Sequence, residues 1–258
     1  MRKLVDLFGE LLGRFPKANA VNLGGGIPHP YRPEGARLDF STFREILVGA
    51  QHQLSQAAGH PVRMEIEPGR YAVAGAGILV TRVTDVKATR SNEKGPGHQF
   101  AMVDAGFNDL ARPAMYGSYH GISVVGGGAM REPEPFVVAG PLCESGDVFT
   151  RDEQEFLEPR EIPRPEPGDL LVLHDAGAYG YAMASNYVSM GRAPQDLVGS
   201  RRGHAHLAAR DRGGPAAAGV RGLALKGQSD RRHSLLDCRW RGLPCSGTST
   251  DLFATSTA

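Results

Sequence analysis

Residues 140–147 read Gly-Pro-Leu-Cys-Glu-Ser-Gly-Asp, and they follow an apolar run at 136–139. The apolar run predicts a buried strand, and the glycine-bounded segment after it predicts a loop. In this loop a thiol, Cys143, stands beside a carboxylate, Glu144. A thiol is mostly protonated at neutral pH and can act as an acid, while a carboxylate can bind an amine. The alternative for a single cysteine is an inert buried residue.

Other runs of strand length lie on both sides of this loop, and they alternate or are continuously apolar. With the run before the loop, they lie at 78–87, 99–104, 136–139 and 170–174. Turn-forming clusters separate them at 92–97, 126–128 and 163–168. This pattern is typical of an antiparallel β-sheet, and we predict that 126–128 is a hairpin loop.

The beginning of the chain alternates helix and strand instead. Apolar residues spaced by three and four predict one helix over 4–15, and Ser41 is a candidate cap for a second helix that ends near Gly59. The predicted inner face of the second helix carries Phe43, Ile46, Leu47 and Leu54.

Two short apolar strands, at 21–23 and 62–66, complete this alternation, and each leads into a loop that contains glycine. Helix and strand in alternation indicate a parallel α/β layer. We therefore predict an α/β part over residues 1–75 and a β-domain over 76–198.

Residues 199–258 differ from the rest in charge. The formal net charge of +1 is made of −5 over residues 1–198 and +6 over 199–258. The basic segment lacks apolar periodicity and clusters small residues at 213–219, so we expect an irregular, non-native or disordered tail and no nucleic-acid surface. A shifted reading frame would produce such a change in composition.

Cysteine and apolar content indicate the compartment. Cys143, Cys238 and Cys245 make no closely spaced even set, which favours a reducing environment. No run approaches the ~18 apolar residues that span a membrane, and the N-terminus lacks a signal-peptide pattern. The nine histidines show no metal-ligand spacing. We expect a cytoplasmic protein that binds no metal, membrane or nucleic acid.

Five runs resemble, in the same order, those of the fold-type III pyridoxal-phosphate decarboxylases, and among them those of the meso-diaminopimelate decarboxylases. They lie at 24–26, 67–70, 104–116, 140–147 and 174–187. The resemblance covers roughly residues 5–198. It implies an eight-stranded (β/α) barrel that holds pyridoxal 5'-phosphate, followed by a β-domain. Residues 1–75 would be the C-terminal part of this barrel, and the chain would be the C-terminal half of the enzyme.

The resemblance also implies that the lysine which binds the cofactor covalently lies upstream of residue 1. Lys17 begins a Lys-Ala-Asn run that imitates the family's lysine motif. However, Lys17 directly precedes the strand that leads to Gly24, where the family has only a loop. We therefore do not expect Lys17 to hold the cofactor, and we expect this chain alone to be inactive.

The resemblance assigns the cofactor contacts. Glu67 would bind the pyridine nitrogen and keep it protonated, and because Glu67 ends an apolar strand, its charge would need a partner. Arg70 would contact phosphate and substrate through its planar fork. Backbone N–H groups of glycines would approach the phosphate closely: Gly24, Gly25, Gly26 and Gly69.

The resemblance also assigns the substrate contacts. Arg112 and Tyr116, four residues apart and so on one helical face, would hold the distal carboxylate, and Tyr179 would reach both cofactor and substrate. Cys143 would return a proton after CO2 leaves, and Glu144 would bind the distal ammonium. Because the family uses these last two in the partner's active site, the resemblance implies a homodimer.

The function that the resemblance implies is pyridoxal-phosphate-dependent decarboxylation of meso-diaminopimelate to L-lysine and CO2, the last step of lysine biosynthesis. One alternative is a decarboxylase of the same fold acting on ornithine, lysine or arginine. Ornithine and lysine lack a distal carboxylate and would leave Arg112 without a partner. The other alternative is a non-catalytic fragment.

Overall fold

The computed structural model describes residues 2–93, 95–197 and 205–207. The α-helices of this described part are α1 (Arg2–Arg14), α2 (Phe40–Ala58), α3 (Gly69–Val73), α4 (Arg112–Tyr116) and α5 (Gly180–Met183). Short 3-10 helices span Ala74–Ala76, Gly126–Met130 and Tyr187–Ser189. The strands are β1 (Ala20–Asn22), β2 (Arg63–Glu65), β3 (Leu79–Ala88), β4 (Gln99–Val103), β5 (Ile122–Val125), β6 (Pro133–Ala139), β7 (Arg160–Pro163), β8 (Leu170–Leu173), β9 (Gln195–Leu197) and β10 (Ala205–Leu207).

The first part of the chain has the predicted order of helix and strand. Strands β1 and β2 pair in parallel, with Val21 opposite Met64. Helices α1 and α2 contact each other, and they share with the strands a core built on Leu12, Val21, Leu54 and Val62. Burial of these apolar side chains holds the small layer together.

Helix α2 is capped by Asp39 and not by Ser41. The Asp39 carboxylate accepts hydrogen bonds from Thr42 Oγ1 at 2.5 Å and Ser41 N at 3.0 Å, which lower its pKa. Gly59 ends the helix in the left-handed conformation, with φ of 72°. The predicted inner face is wrong at Ile46, which is 45% exposed. The buried face of the helix is narrower than predicted and is centred on Ala50 and Leu54.

A six-stranded sheet forms the second part, in the order β5-β8-β3-β4-β6-β7. Four neighbouring pairs are antiparallel, but β4 and β6 run parallel. The predicted antiparallel sheet is therefore wrong at this pair, and the sheet is mixed. The reason lies in the connection, because the chain passes through α4 and β5 between β4 and β6, and such a crossover permits parallel pairing.

Strands β5 and β7 have no counterpart in the predicted set. Residues 126–128 are also not a hairpin loop, because β5 pairs with β8 and not with β6. They belong to a 3-10 helix that carries the chain from one part of the sheet to another.

The main core lies within the curled sheet. Its largest fully buried side chains include Phe136, Phe149, Leu110, Leu171 and Leu173. The edge strands β5 and β7 contact each other, so the sheet is nearly closed. Closure removes exposed strand edges and leaves the loops at the sheet ends to form sites.

Strands β9 and β10 pair antiparallel, so residues 205–207 are a strand within the segment that we expected to be irregular. The remaining residues of 199–258 lie outside the described residues. Among the helices that are described, none combines the length and apolar character that a membrane crossing requires.

Candidate active site

The glycine-rich loop and Glu67 lie side by side at the carboxyl ends of β1 and β2. Glu67 N donates a hydrogen bond to Gly24 O at 2.8 Å, which continues the pairing beyond both strands. Asn22, the last residue of β1, joins the two loops. Its Nδ2 donates to Glu67 Oε1 at 2.8 Å, and its Oδ1 accepts from Gly24 N at 2.7 Å. Asn22 was not predicted to be a site residue, although a polar residue at the end of an apolar strand is a signal for one.

An open cavity of about 890 Å³ lies at this edge. The loops after β1, β2 and β8 and the helix α3 line it, and their residues are Gly25, Gly26, Ile27, Pro28, Glu67, Pro68, Gly69, Arg70, Ala72 and Tyr179. All the predicted cofactor-binding residues except Gly24 are in this lining. Gly24 lines a smaller cavity of about 180 Å³ that shares Gly25 and Gly26 with the large one.

The structure corrects the prediction for Glu67 and shows where Lys17 lies. Glu67 is exposed, so the argument that a buried charge there needs a partner is wrong for this residue. Strand β2 ends at Glu65, and the chain has already left the layer at Glu67. Lys17 is also exposed and precedes β1, at the end of the strand opposite to Gly24.

Tyr179 brings two arginines together at the cavity. The Arg70 guanidinium carbon lies 5.7 Å from the centre of the Tyr179 ring, and the Arg112 guanidinium carbon lies 5.3 Å from it. Tyr179 itself is 44% exposed, so it is not a core aromatic residue. The structure thus joins residues from α3, α4 and the loop after β8.

Arg112 is buried, with 8% of its surface exposed. Its guanidinium carbon lies 5.3 Å from the Tyr116 ring, and its Nη2 donates to Ser118 Oγ at 3.1 Å. Tyr116 is exposed. Within the described part of the chain, no carboxylate forms an ion pair with Arg112 or Arg70. A buried cation without an anion is costly, so Arg112 is suited to receive one.

Two glycines allow the Tyr179 loop to cross the segment after α3. A Cβ on Gly177 would lie 2.0 Å from Val73 O, and one on Gly77 would lie 2.7 Å from Gly177 Cα. Ala176 N donates to Gly77 O at 2.8 Å, and Gly177 N donates to Ala74 O at 3.0 Å. This backbone crossing fixes the position of Tyr179 relative to Arg70.

A hydrogen bond between His29 and Asp175 links the loop after the glycines to the Tyr179 loop. His29 Nε2 lies 2.9 Å from Asp175 Oδ1, and both side chains are largely buried. Asp175 has φ of 58° and Tyr179 has φ of 63°, so both adopt the left-handed conformation that is uncommon for residues with side chains. The sequence analysis assigns no role to His29.

A second contact fastens the loop that follows the glycines. Arg32 donates two hydrogen bonds to the Glu158 carboxylate, at 2.9 and 3.1 Å, and lowers the pKa of Glu158. The Tyr119 ring lies 4.4 Å from the guanidinium carbon of Arg32 and 4.3 Å from that of Arg160. Bidentate pairs of this kind fix orientation as well as distance.

The loop that carries Cys143 is built around Asp147. The buried Asp147 carboxylate accepts hydrogen bonds from Phe107 N at 2.7 Å and Leu142 N at 2.8 Å. A Cβ on Gly140 would lie 2.2 Å from Asp147 Oδ2, so this position requires glycine. Burial raises the pKa of Asp147 more than these hydrogen bonds lower it. Asp147 therefore shapes the loop and leaves Cys143 exposed.

Glu144 projects from the same loop toward a different neighbour. Two hydrogen bonds to the Glu144 carboxylate lower its pKa. The larger effect comes from the Gly146 N–H, and the smaller one from the Tyr187 hydroxyl at 3.2 Å. Neither Cys143 nor Glu144 lines the cavity. The structure therefore joins Glu67, Arg70, Tyr179 and Arg112, but it does not bring the two loop residues to them.

Residues 70–177 match the family model described as "Pyridoxal-dependent decarboxylase, C-terminal sheet domain". The chain is also 49% identical over 182 residues to a diaminopimelate decarboxylase of Streptomyces coelicolor, a match of 69% of this chain and 40% of the relative. The chain belongs to the pyridoxal-dependent decarboxylases.

Other members of the pyridoxal-dependent decarboxylases give the same result. A diaminopimelate decarboxylase of Escherichia coli K12 is 48% identical over 69% of this chain and 42% of its own length. A crystal structure of diaminopimelate decarboxylase has a TM-score of 0.68 at 39% identity and covers 79% of this chain and 50% of its own. The chain spans less than half the length of these curated relatives.

The residues of this pyridoxal-dependent decarboxylase chain fit its family's cofactor chemically. In the described structure the N–H groups of Gly25 and Gly26 have no protein acceptor. A Cβ on Gly26 would meet no atom within 4 Å, so the backbone there opens into free space. Amide donors, Arg70 and the Glu67 carboxylate are the groups that a phosphate and a protonated pyridine require. Among the described residues no group of histidine, cysteine and acidic side chains could hold a metal ion.

Proposed function

We propose that the protein decarboxylates meso-diaminopimelate to L-lysine and CO2 with pyridoxal 5'-phosphate, as the last step of lysine biosynthesis. The observation that carries the proposal is the pair of arginines at one tyrosine ring beside the Glu67 cavity. Arg112 is buried and has no anionic partner in the described structure. A substrate with a second carboxylate supplies that partner.

The proposal includes the finer architecture. Residues 1–75 are the C-terminal part of a (β/α)8 barrel, and residues 76–198 are the β-domain. The parallel pair of β1 and β2 and the glycine loop at its carboxyl end support the barrel assignment, because barrel enzymes place their sites at that face.

In this proposal one set of residues holds the cofactor phosphate, and Glu67 holds the pyridine ring. The glycine loop at Gly24, Gly25 and Gly26, with Gly69, Arg70 and Tyr179, holds the phosphate, and Glu67 accepts a hydrogen bond from the pyridine nitrogen. When bound, pyridoxal phosphate takes up the electrons that remain on the substrate as CO2 leaves. Asn22 keeps the Glu67 carboxylate beside the glycine loop.

Arg112 and Tyr116 hold the distal carboxylate, with Arg70 and Tyr179 also contacting the substrate. A charge-assisted hydrogen bond contributes roughly 1.5–3 kcal/mol, so loss of the distal carboxylate weakens binding strongly. Ornithine and lysine are therefore disfavoured as substrates, because they lack this distal carboxylate.

Cys143 Sγ donates a proton to the substrate α-carbon after CO2 has left, and Glu144 binds the distal ammonium. Both act in the cavity of the partner subunit, so the proposed enzyme is a homodimer. Their absence from the cavity of their own chain supports this arrangement. The proposed enzyme is cytoplasmic and uses no metal, nucleic acid or membrane.

A turnover assay tests the function in the full-length protein, meaning this chain joined to the barrel part that the proposed enzyme needs for its cofactor lysine. Release of CO2 is measured side by side from meso-diaminopimelate, L-ornithine, L-lysine and L-arginine, with added pyridoxal phosphate. We expect release from meso-diaminopimelate to be about 10- to 100-fold faster in kcat/KM, the factor that a lost charge-assisted hydrogen bond allows. Faster release from ornithine would refute the assignment.

A further inference from the structure

Tyr31 lies between two imidazole rings, those of His29 and His120. Its ring centre is 4.8 Å from that of His29 and 5.3 Å from that of His120, and both contacts are edge-to-face. Such packing restricts the tilt of an aromatic ring. Tyr31 follows Gly26 by five positions, so it belongs to the loop that begins at the cavity.

Both imidazoles are themselves fixed. His29 is held by Asp175 at 2.9 Å. His120 is 1% exposed, and burial lowers its pKa, so its ring is neutral at neutral pH. Its Nδ1 lies 2.8 Å from His174 O and must donate the hydrogen, because a carbonyl can only accept. The Tyr31 ring therefore has little freedom.

The Tyr31 hydroxyl is buried and has no hydrogen-bond partner among the described residues. A buried polar group without a partner costs roughly 1–3 kcal/mol, and such groups persist where a ligand supplies the partner. Burial raises the pKa of Tyr31, while the positive charges of Arg112 and Arg70 lower it. The hydroxyl thus stays protonated within electrostatic reach of both arginines.

The charges around this hydroxyl favour an anion. Arg70 and Arg112 have no carboxylate partner in the described structure, and the nearby Asp175 carboxylate is engaged by His29. The O–H group has no acceptor among the described residues and is free to donate to a bound anion.

We propose that Tyr31 is a further specificity-determining residue, whose hydroxyl donates a hydrogen bond to the substrate carboxylate held by Arg112. This inference rests on the proposed function and deepens it. His29 and His120 act as positioning residues that clamp the ring, so that the donor is oriented before the ligand binds. Preorganisation of this kind lowers the entropic cost of binding.

The test compares ligands that differ in the distal carboxylate. Dissociation constants of L-lysine, which keeps the distal carboxylate of meso-diaminopimelate, of cadaverine, which lacks it, and of inorganic phosphate are measured by titration calorimetry for the full-length wild type and Tyr31→Phe. We expect Tyr31→Phe to weaken L-lysine binding about 10- to 100-fold and to leave cadaverine within about 2-fold, as for a lost hydrogen bond to a charged group.

Tyr119→Phe is the matched control. The Tyr119 ring also packs between two side chains, Arg32 and Arg160, but its hydroxyl is not a buried group without a partner. This variant should leave all three dissociation constants unchanged.

Each other outcome has a distinct meaning. Equal weakening of L-lysine and cadaverine, or no weakening, would overturn the role of Tyr31 in binding the carboxylate. Weaker binding of phosphate alone would indicate that the hydroxyl contacts the phosphate site, and it would overturn the carboxylate assignment. A wild type that binds L-lysine no better than cadaverine would contradict the proposed function, and the inference with it.

Discussion

At the scale of single residues, the site depends on groups whose protonation the fold sets. His120 is the clearest case, because burial lowers its pKa by more than the His174 carbonyl raises it. In the unfolded chain this histidine takes up a proton near pH 6.5. The folded protein excludes that proton, so His120 makes stability depend on pH.

The sign of this dependence follows from linkage. Below about pH 6.5 the unfolded state binds more protons at His120 than the folded state, so the free energy of unfolding falls as pH falls. We expect His120→Asn to flatten this slope, because the Asn amide still donates to His174 O but does not titrate.

Urea unfolding at pH 5, 6, 7 and 8 measures the effect. The difference between wild type and His120→Asn isolates this histidine from the other eight of the nine in the sequence. An identical pH slope in both proteins would show that His120 is not held neutral.

Residues with a distinctive chemistry could be predicted from the sequence, but the residues that position them could not. Glu67, Arg70 and Tyr179 stand in runs that resemble a family pattern, and the structure brings them together. His29 and Asp175 are ordinary polar residues separated by 146 positions. Only the fold shows that such residues meet.

At the scale of elements, the crossing of two backbone segments positions the site. The Tyr179 loop passes so close to the segment after α3 that Gly177 has no room for a side chain. Neither segment is a regular strand, and the crossing depends on two glycines and two backbone hydrogen bonds.

We expect Gly177→Ala to lower the free energy of unfolding by about 2–4 kcal/mol, the range of severe overpacking. The added Cβ would lie 2.0 Å from Val73 O, and backbone atoms cannot move aside cheaply. Chemical denaturation measures the change.

Gly49→Ala is the control for this substitution. Gly49 lies inside α2, and a Cβ there meets no atom within 4 Å. Alanine should therefore stabilise the protein by roughly 0.5–1 kcal/mol through helix propensity. If Gly177→Ala were as well tolerated as Gly49→Ala, the crossing would not be the tight contact described here.

Some features of the sheet can be predicted from the local sequence, and others cannot. Strand-length apolar runs predict β3, β4, β6 and β8 within a few residues, because alternation and burial are local properties. The parallel pairing of β4 with β6 was not predictable, since it depends on which strand lies beside which after a crossover. Strand β5 reads Ile-Ser-Val-Val and β7 reads Arg-Glu-Ile-Pro, so neither has the continuous apolar run that marks the equally short β8.

At the scale of the whole molecule, the candidate site is shared between two layers. The helix-and-strand layer supplies the glycine loop, Glu67 and Arg70, and the loops of the mixed sheet supply Arg112 and Tyr179. Contacts such as Arg32 with Glu158 hold these parts together. Family resemblance could predict that both parts contribute, but not the contacts by which they meet.

The most direct test of this account is the affinity of the purified full-length protein for pyridoxal phosphate, measured by equilibrium dialysis for wild type, Glu67→Ala and Lys17→Ala. We predict saturable binding of one cofactor per chain, weakened about 10- to 100-fold by Glu67→Ala because a charge-assisted hydrogen bond is lost, and unchanged by Lys17→Ala. Binding that is insensitive to Glu67 but abolished by Lys17→Ala would contradict the placement of the cofactor at this cavity.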